Sequence, residues 1–367
     1  MEFSIPFCWY KVKEVRKILD SRIEKGEHFE IYFNYPSGFS GKNFSESNLF
    51  AGFEEIRDSV SQYKREALRF SCLLDSVCLG NKEFSRRGQK QMRDIFKQLA
   101  RAGIDSITLS NIYLAIWLKK NYPHFSLTVS SKACLDSLEK IKYWQELGAD
   151  SVILPPVYFN KNLKTIAGFS KNLNIDIGLV ANNGCLRHCP LYLNCSLAEG
   201  GEFWGCHINS SFFRRSLLAL CPLLRLKDSK DFIKTDWIRP EDLDSYEEAG
   251  VRKIRLAGDD LSPGSPQDIV KAYIEKSYEG NLLDLLYYPS LFKSGKFLRQ
   301  LSGFFLPFEF EQIKDSFLKK EVFLDNKELN TFLKDLPADC TPLLCNDCLY
   351  CDKIAASAFK VYEKPCR

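Results

Sequence analysis

The chain of 367 residues has no apolar run that approaches the ~18–20 residues needed to cross a bilayer. Its most apolar stretch, residues 217–226, is interrupted by Pro222 and Arg225. The first seven residues include an early acid and no long apolar segment, which is not the pattern of a secretion signal. We therefore expect a cytoplasmic protein with no membrane partner.

Strong charge and the common hydrolytic motifs are also missing. A formal net charge of +4 is small for this length and does not demand a nucleic acid partner. The short basic runs at 86–90 and 214–215 could contact phosphate, although such runs are usually solvated faces. No Ser–His–Asp order and no HExxH segment is present, so a conventional hydrolase mechanism has no support in the residues.

Cysteine, in contrast, is plentiful and clustered. Five of the 14 cysteines lie between Cys185 and Cys221, and five more lie between Cys340 and Cys366. In a reducing compartment such clusters favour metal or iron–sulfur ligation over disulfides. The other four are expected to be buried thiols that pack as small apolar residues; they are Cys8, Cys72, Cys78 and Cys134.

One local pattern recurs three times and predicts the fold. An amphipathic helix end is followed by a glycine (Gly103, Gly148 or Gly250) and then by a β-rich run. About seven or eight strands are predicted over residues 28–257, most of them followed by a helix, which indicates a parallel sheet. The number predicts a (β/α)8 TIM-like barrel, closed or distorted. An open doubly wound sheet is the alternative. No Gly-rich phosphate-binding loop follows a strand, which argues against the nucleotide-binding form of that fold.

The alternation also suggests domain limits. We assign residues 1–285 to the barrel, with a cysteine-rich insertion at about 182–225. Residues 286–367 are interpreted as a C-terminal extension that carries the second cysteine group back to the body. Residues 285–335 show no clear period, so no element is predicted there.

The first cysteine group follows a predicted strand directly. Cys185-x3-Cys189 comes just after the run ending at Val180, at the carboxyl end of a barrel strand, where such folds place their active sites. The spacing matches neither the Cx3Cx2C motif of radical SAM enzymes nor the paired Cx2C motifs of a zinc ribbon. We rank Cys185, Cys189 and Cys221 first as ligands, with Cys206 ahead of Cys195 as the fourth. Zinc is an alternative metal.

Three further residues are candidates for catalysis. His207 lies inside the cysteine segment and could be a ligand, a proton donor or a group that orients a ligand, or simply a satisfied histidine; His188 is a weaker case. Arg255 and Asp259, with Asp260 beside it, lie near the end of a late strand and could face the same cavity.

The second group is built on Cys345-x2-Cys348-x2-Cys351, which is close to the C-x2-C-x2-C run of bacterial ferredoxins. The ferredoxin continuation x3-C-P is absent. Cys340 or Cys366 could supply a fourth ligand, or the three could join a cysteine of the barrel. We expect one 4Fe–4S cluster in the protein. The C-terminal cysteines could hold a second cluster or a structural zinc ion.

Several segments resemble one known family, the collagenase-like peptidase family U-32. The resemblance lies in residues 183–190 (NGCLRHCP), 237–243, 246–250 and 269–286, and in the Cys348-Leu349-Tyr350-Cys351 tail. It implies a TIM-like barrel with an oxygen-sensitive 4Fe–4S cluster near the mouth. The family's name comes from proteolysis, whereas other members are oxygen-independent hydroxylases, or their accessory subunits, acting on small molecules or RNA bases. The chain departs from longer members in lacking their HGxxC segment.

We therefore hypothesise an iron–sulfur enzyme related to the oxygen-independent hydroxylases, with its cluster at the barrel mouth. The substrate class stays open between a small molecule, a peptide and RNA. A cluster- or metal-dependent peptidase is one alternative. The other is a non-catalytic, cluster-bearing partner of a paralogous subunit.

Overall fold

The computed structural model describes residues 1–35, 39, 53–64, 67–197, 228–258, 265–286, 320–337, 340 and 345–363. Eight parallel strands form a closed barrel in sequence order, and β1 pairs with β8 to complete it. The strands are β1 (Glu2–Pro6), β2 (Phe29–Asn34), β3 (Leu68–Leu74), β4 (Ser106–Leu109), β5 (Ser126–Val129), β6 (Ser151–Ile153), β7 (Asp176–Val180) and β8 (Val251–Arg255). The fold is therefore a (β/α)8 TIM-like barrel, and the open-sheet alternative is excluded.

Helices follow most strands and cover the outside of the barrel. They are α1 (Phe7–Tyr10), α2 (Lys13–Ile23), α3 (Phe53–Tyr63), α4 (Arg86–Arg101), α5 (Ile112–Asn121), α6 (Leu138–Glu146), α7 (Pro156–Phe159), α8 (Leu163–Asn172), α9 (Lys230–Ile233), α10 (Leu243–Glu248), α11 (Pro266–Glu275), α12 (Cys345–Cys348) and α13 (Tyr350–Ala358). Short 3₁₀ helices cover Lys82–Phe84, Ser131–Ala133, Pro240–Asp242, Leu282–Asp284 and Lys327–Leu329. None of the helices in the described ranges is long and apolar enough to cross a membrane.

Local sequence explains where these helices begin and end. The side chain of Ser85 accepts a hydrogen bond from Gly88 N at 3.0 Å at the start of α4, and Asn111 caps α5 in the same way through Leu114 N at 3.2 Å. The three glycines of the recurring pattern, at positions 103, 148 and 250, have φ of 73°, 92° and 96°. They end their helices in the left-handed conformation that glycine adopts most easily.

The first strand was missed by the sequence prediction, which began its count at residue 28. Phe3 and Ile5 of β1 are buried and alternate with Glu2 and Ser4, but the strand has only five residues and ends at Pro6, so its local β signal is short. A second sheet was missed as well. β9 (Lys320–Leu324) pairs antiparallel with β10 (Phe359–Glu363) in the region interpreted as an aperiodic extension.

The inside of the barrel is polar, unlike the packed branched side chains that are usual in this fold. Glu30 accepts hydrogen bonds from Ser4 Oγ at 2.6 Å and Lys253 Nζ at 2.8 Å, and it lies 3.4 Å from Arg255 Nη2. Burial alone would raise the pKa of Glu30, but Lys253 and Arg255, with the hydrogen bonds from Lys253 and Ser4, lower it to about 2. The carboxylate is therefore ionised inside the barrel.

Candidate functional site at the barrel mouth

The cysteine loop after β7 is anchored at its first residue. Asn182 is fully buried, donates to Ala257 O at 2.7 Å and to Leu285 O at 3.3 Å, and accepts from Ala257 N at 2.7 Å. These bonds fix the loop to the segment after β8 and to the end of the barrel sequence. Cys185 and Cys189 follow this anchor in the loop after the carboxyl end of β7.

The rest of this loop pairs with the segment that precedes Trp237. Leu186 forms an antiparallel bridge with Thr235, Arg187 N donates to Lys234 O at 3.1 Å, and Asp236 N donates to Cys185 O at 2.9 Å. The loop is thus held on both sides by backbone hydrogen bonds. Such pairing gives the two cysteines of the loop a defined position.

Unusual backbone conformations occur next to the cysteines. Among the residues that the structure describes, five other than glycine have positive φ, and three of them are Cys134 (52°), His188 (54°) and Leu349 (51°). His188 precedes Cys189, and its N–H donates to Val157 O at 2.8 Å. Leu349 follows Cys348. Residues in this sparsely populated region cluster at functional sites, which supports placing a site here.

Arg187, between the two cysteines of the loop, contacts the second cysteine group. Its Nη1 lies 2.9 Å from Cys340 Sγ and its Nη2 donates to Cys340 O at 3.1 Å. One guanidinium therefore holds both the thiol and the backbone of a residue that is 153 positions away in sequence. The sequence analysis named both groups but did not predict this contact.

Lys161 is a buried lysine beside Trp237 and Phe332, and the sequence analysis missed it. Its Nζ donates to Ile233 O at 2.5 Å and lies 3.7 Å from the ring centroid of Trp237 and 4.8 Å from that of Phe332. Burial lowers the pKa of Lys161 to about 7, against the opposing effects of Asp236, Cys351 and Cys340. A single lysine among 51 basic residues gives no sequence signal of such an environment.

The C-terminal helix that carries Cys351 packs on the same side. Tyr350 OH donates to Phe332 O at 2.9 Å, and the two rings stack at 5.8 Å. Phe359, just after α13, stacks on Phe232 of α9 at 4.7 Å. Cys351 is partly buried and Cys348 is exposed.

A second polar group lies across the ends of β3, β4 and β5. Asp75, 5% exposed, accepts a hydrogen bond from Ser130 Oγ at 2.8 Å and pairs with Lys132 Nζ at 3.4 Å. Ser110 Oγ donates to the backbone oxygens of Asp75 and Ser76. The sequence analysis did not identify Asp75, which follows a buried strand without any motif.

The remaining predicted residues fall into three classes. Arg255 is buried inside the barrel, where Nη2 lies 3.3 Å from Thr108 Oγ1 and the guanidinium lies over the Tyr32 ring at 5.1 Å. Of the expected core thiols, Cys72 is fully buried, whereas Cys8, Cys78 and Cys134 are only partly buried, which corrects that prediction. Outside the described residues lie Cys206, His207, Arg214, Arg215, Cys221, Asp259, Asp260, Cys366 and the side chain of Cys345.

The chemistry of the site follows from its donors. Within the described ranges no three His, Cys, Asp or Glu side chains converge as a metal site. The described donors at the loop are the thiols of Cys185 and Cys189, the imidazole of His188 and the buried carboxylate of Asp236, and Arg187 lies between the two cysteines. Thiolates next to cations suit soft metals and iron–sulfur clusters better than hard, oxygen-binding ions.

Comparison with known proteins found similarity to a family model, a curated relative and solved structures. A model of peptidase family U32 matches residues 30–188. The uncharacterized protease MJ1657 of Methanocaldococcus jannaschii is 27% identical over 366 residues, which cover 98% of this chain and 96% of the relative. The structure of the U32 peptidase Mk0906 aligns at 18% identity with a TM-score of 0.48, over 71% of this chain and 92% of that one. A native KDPGal structure aligns at 12% identity with a TM-score of 0.40, over 75% and 92%.

Proposed function

Because this chain belongs to peptidase family U32, we propose that it is an iron–sulfur enzyme related to the oxygen-independent hydroxylases, which modifies its substrate at the barrel mouth. The observation that carries the proposal is the anchored loop after β7. It presents Cys185 and Cys189 at the carboxyl edge of a closed barrel, where enzymes of this fold bind their substrates.

The residues of the loop suit a 4Fe–4S cluster in their chemistry. Cys185 and Cys189 would hold it, with Cys206 and Cys221 proposed from the sequence as further ligands. Arg187 and Lys161 would compensate the negative charge of thiolates and sulfide in a partly buried setting. Such a cluster supplies electron transfer or a Lewis-acidic iron to a substrate.

The chain itself would bind and orient the substrate. The Asp75–Ser130–Lys132 group offers a carboxylate, a hydroxyl and an ammonium at the mouth of strands β3 to β5. Arg255 lies deeper, and its polar contacts are all 3.3–3.4 Å long, longer than the ~2.7–2.9 Å of strong charge-assisted bonds. A loosely held guanidinium of this kind is suited to receive a polar group of a substrate that enters from the mouth.

Metal analysis of protein purified without oxygen tests the proposal. We expect about four irons and four sulfides per chain, with a broad absorption band near ~400 nm. Cys185→Ala and Cys189→Ala should lose the cluster, whereas the control Cys78→Ala, changed at a cysteine outside both groups, should retain it. Zinc without sulfide, or full iron in both loop variants, would refute the proposal.

A peptidase is the second candidate, and the name of the Methanocaldococcus relative favours it. In this case the same protein should hydrolyse gelatin or a quenched fluorescent peptide without any added reductant. Hydrolysis that is lost in Cys185→Ala and kept in Cys78→Ala would support a peptidase. Absence of cleavage by metal-replete protein would remove this candidate.

A further inference from the structure

Helix α4 (Arg86–Arg101) carries more net positive charge than the whole chain. Its 16 residues include six basic side chains and one acid, which gives the helix a formal charge of +5. The whole chain is +4, so the sequence outside α4 sums to −1 (4 minus 5). The positive charge of this protein is therefore concentrated on one element.

Five of these cations form a single line along the helix. Each is three or four residues from the next, so all five fall within about 80° around the helix axis, and the line is about 22 Å long. All five are exposed, and they lie opposite the side that is buried against the barrel by Met92, Ile95, Phe96 and Leu99. We call this set the basic stripe: Arg86, Lys90, Arg93, Lys97 and Arg101.

The basic stripe has no counter-charge on the protein. Within the described ranges of the chain, none of its five side chains forms an ion pair, and neither does Asp94, the one acid of α4. Other exposed cations differ, since Arg57 pairs with Glu54 and Lys140 pairs with Asp136, each about one turn away. Like charges three or four positions apart destabilise a helix. An anionic partner that binds along α4 would relieve this repulsion.

An exposed aromatic pair continues the basic stripe at the mouth of the barrel. Because α4 follows β3, the helix begins on the carboxyl side of the barrel strands. Phe84 is 66% exposed and contacts the ring of Tyr113 at 5.2 Å. Gln89 of α4 donates to Tyr113 OH at 3.2 Å, which fixes the pair to the helix. An exposed ring beside a line of cations offers a platform on which a nucleic acid base can stack.

We propose that the basic stripe and the Phe84–Tyr113 pair bind single-stranded nucleic acid, with phosphates along the stripe and a base stacked at the rim of the barrel. A regular line of cations suits a chain of regularly spaced phosphates. Aromatic side chains take up bases that are not stacked in a duplex. A membrane suits α4 less well, because membranes bind the apolar face of an amphipathic helix and that face of α4 is buried.

The salt dependence of binding tests the contribution of the basic stripe. Fluorescence anisotropy is measured with a labelled single strand of about 20 nucleotides, as RNA and as DNA of the same sequence. Each phosphate contact adds about −0.7 to the slope of log affinity against log salt, so five contacts give about −3.5. Lys90→Gln, Arg93→Gln and Lys97→Gln combined should reduce the steepness by about 2 and weaken binding on the order of 100-fold at about 0.1 M salt.

A matched control separates the basic stripe from net charge. Lys13, Lys17 and Lys171 are exposed lysines on other helices. Their combined replacement by Gln removes the same total charge and should leave both the affinity and the salt slope near the wild-type values. An equal loss in the control and in the stripe variant would refute a specific surface on α4.

The aromatic pair makes a different prediction. Phe84→Ala should weaken binding about 5-fold to 100-fold while the salt slope stays unchanged, because stacking involves no counterion release. Tyr143→Ala, at a ring of α6 that is 52% exposed, is the control and should bind like wild type. A surface that recognises charge alone would not respond to Phe84→Ala.

Protection from acetylation locates the surface without any variant. Bound single strand should protect Lys90 and Lys97 of wild type, while Lys13 and Lys17 react as in free protein, so the test holds even if a variant misfolds in circular dichroism. Absence of binding to either strand at low salt would overturn the inference. So would equal binding of polyglutamate, which would indicate an acidic protein as partner, or binding to phosphatidylserine vesicles alone, which would indicate a membrane. The iron content of the same samples is measured separately, because the inference does not depend on the proposed iron–sulfur function.

Discussion

Glu30 is the carboxylate that neutralises two cations inside the barrel. It is 1% exposed and contacts Lys253 and Arg255, while Ser4 and Ser106 donate to it from neighbouring strands. Burial of this charge is costly, yet the pKa of Glu30 falls from 4.5 to about 2 because the two cations outweigh the burial. The ionised form therefore stabilises the fold at neutral pH, by about 3 kcal/mol.

Glu30→Gln should lower the free energy of unfolding by about 3–5 kcal/mol at pH 7, because it leaves Arg255 without an anion in the barrel. A depressed pKa contributes stability above the unfolded value, and this contribution is lost as the pH falls from 4.5 towards 2. The difference between wild type and variant should therefore shrink as the pH falls from 4.5 towards 2. Urea unfolding at several pH values measures it, with the exposed Glu24→Gln as control.

Equal stability of the Glu30→Gln variant at pH 7, or a difference that does not depend on pH, would contradict this account. The sequence could place Arg255 near the end of a late strand, because the β signal there is strong. It could not predict Glu30, Lys253 or Lys161 as buried charges, since each depends on partners from strands and loops far away in sequence.

Glycine at helix ends is the clearest signal at the scale of the element. Gly250 joins α10 to β8 with φ of 96°, and a Cβ at this position would lie 2.0 Å from Ser170 Oγ. Conformation and space both require glycine here. Two residues before Ser170, Gly168 lies in the middle of α8, where a Cβ would meet no atom within 4 Å.

This pair gives opposite predictions for one substitution. Gly250→Ala should lower the free energy of unfolding by about 1–3 kcal/mol, because alanine at positive φ is strained and Ser170 must move. Gly168→Ala should raise it by up to about 1 kcal/mol, because alanine favours a helix interior. Chemical unfolding of both variants checks the signs, and a neutral Gly250→Ala would show that the turn tolerates a side chain.

Periodicity and caps explain why most elements could be predicted. The apolar stripe of α4, with Met92, Ile95, Phe96 and Leu99, is buried as its spacing indicated. β1 and the β9–β10 pair were missed for a shared reason. β1 is short and β9 lies in an aperiodic context, so pairing with distant partners, and not local pattern, determines them.

At the scale of the whole molecule, Arg239 connects the C-terminal extension to the barrel. This residue is 1% exposed. Its Nε donates to Asn326 Oδ1 at 2.8 Å, its Nη1 to Leu329 O at 2.5 Å and its Nη2 to Asn330 Oδ1 at 2.8 Å. Three donors in one plane match three acceptors of a single segment. The sequence shows an Arg239-Pro240 pair after a buried tryptophan but gives no indication of these acceptors, which lie about 90 residues later.

Arg239→Met should release the segment 320–337 from the barrel while the barrel itself stays folded. Three acceptors would lose their donors. Asp242 would also lose a nearby cation: burial and Glu241 raise its pKa to about 6, and Arg239 lowers it, so the variant should raise this pKa further. We expect a loss of about 3 kcal/mol in the free energy of unfolding and faster proteolytic cleavage within residues 320–363, mapped by mass spectrometry. Arg22→Met, which removes only a partly exposed pair with Glu27, should change stability by less than about 1 kcal/mol. If the extension were as protected in Arg239→Met as in wild type, apolar packing of Phe332, Tyr350 and Phe359 alone would hold it, and Cys340 would stay at the loop without help from Arg239.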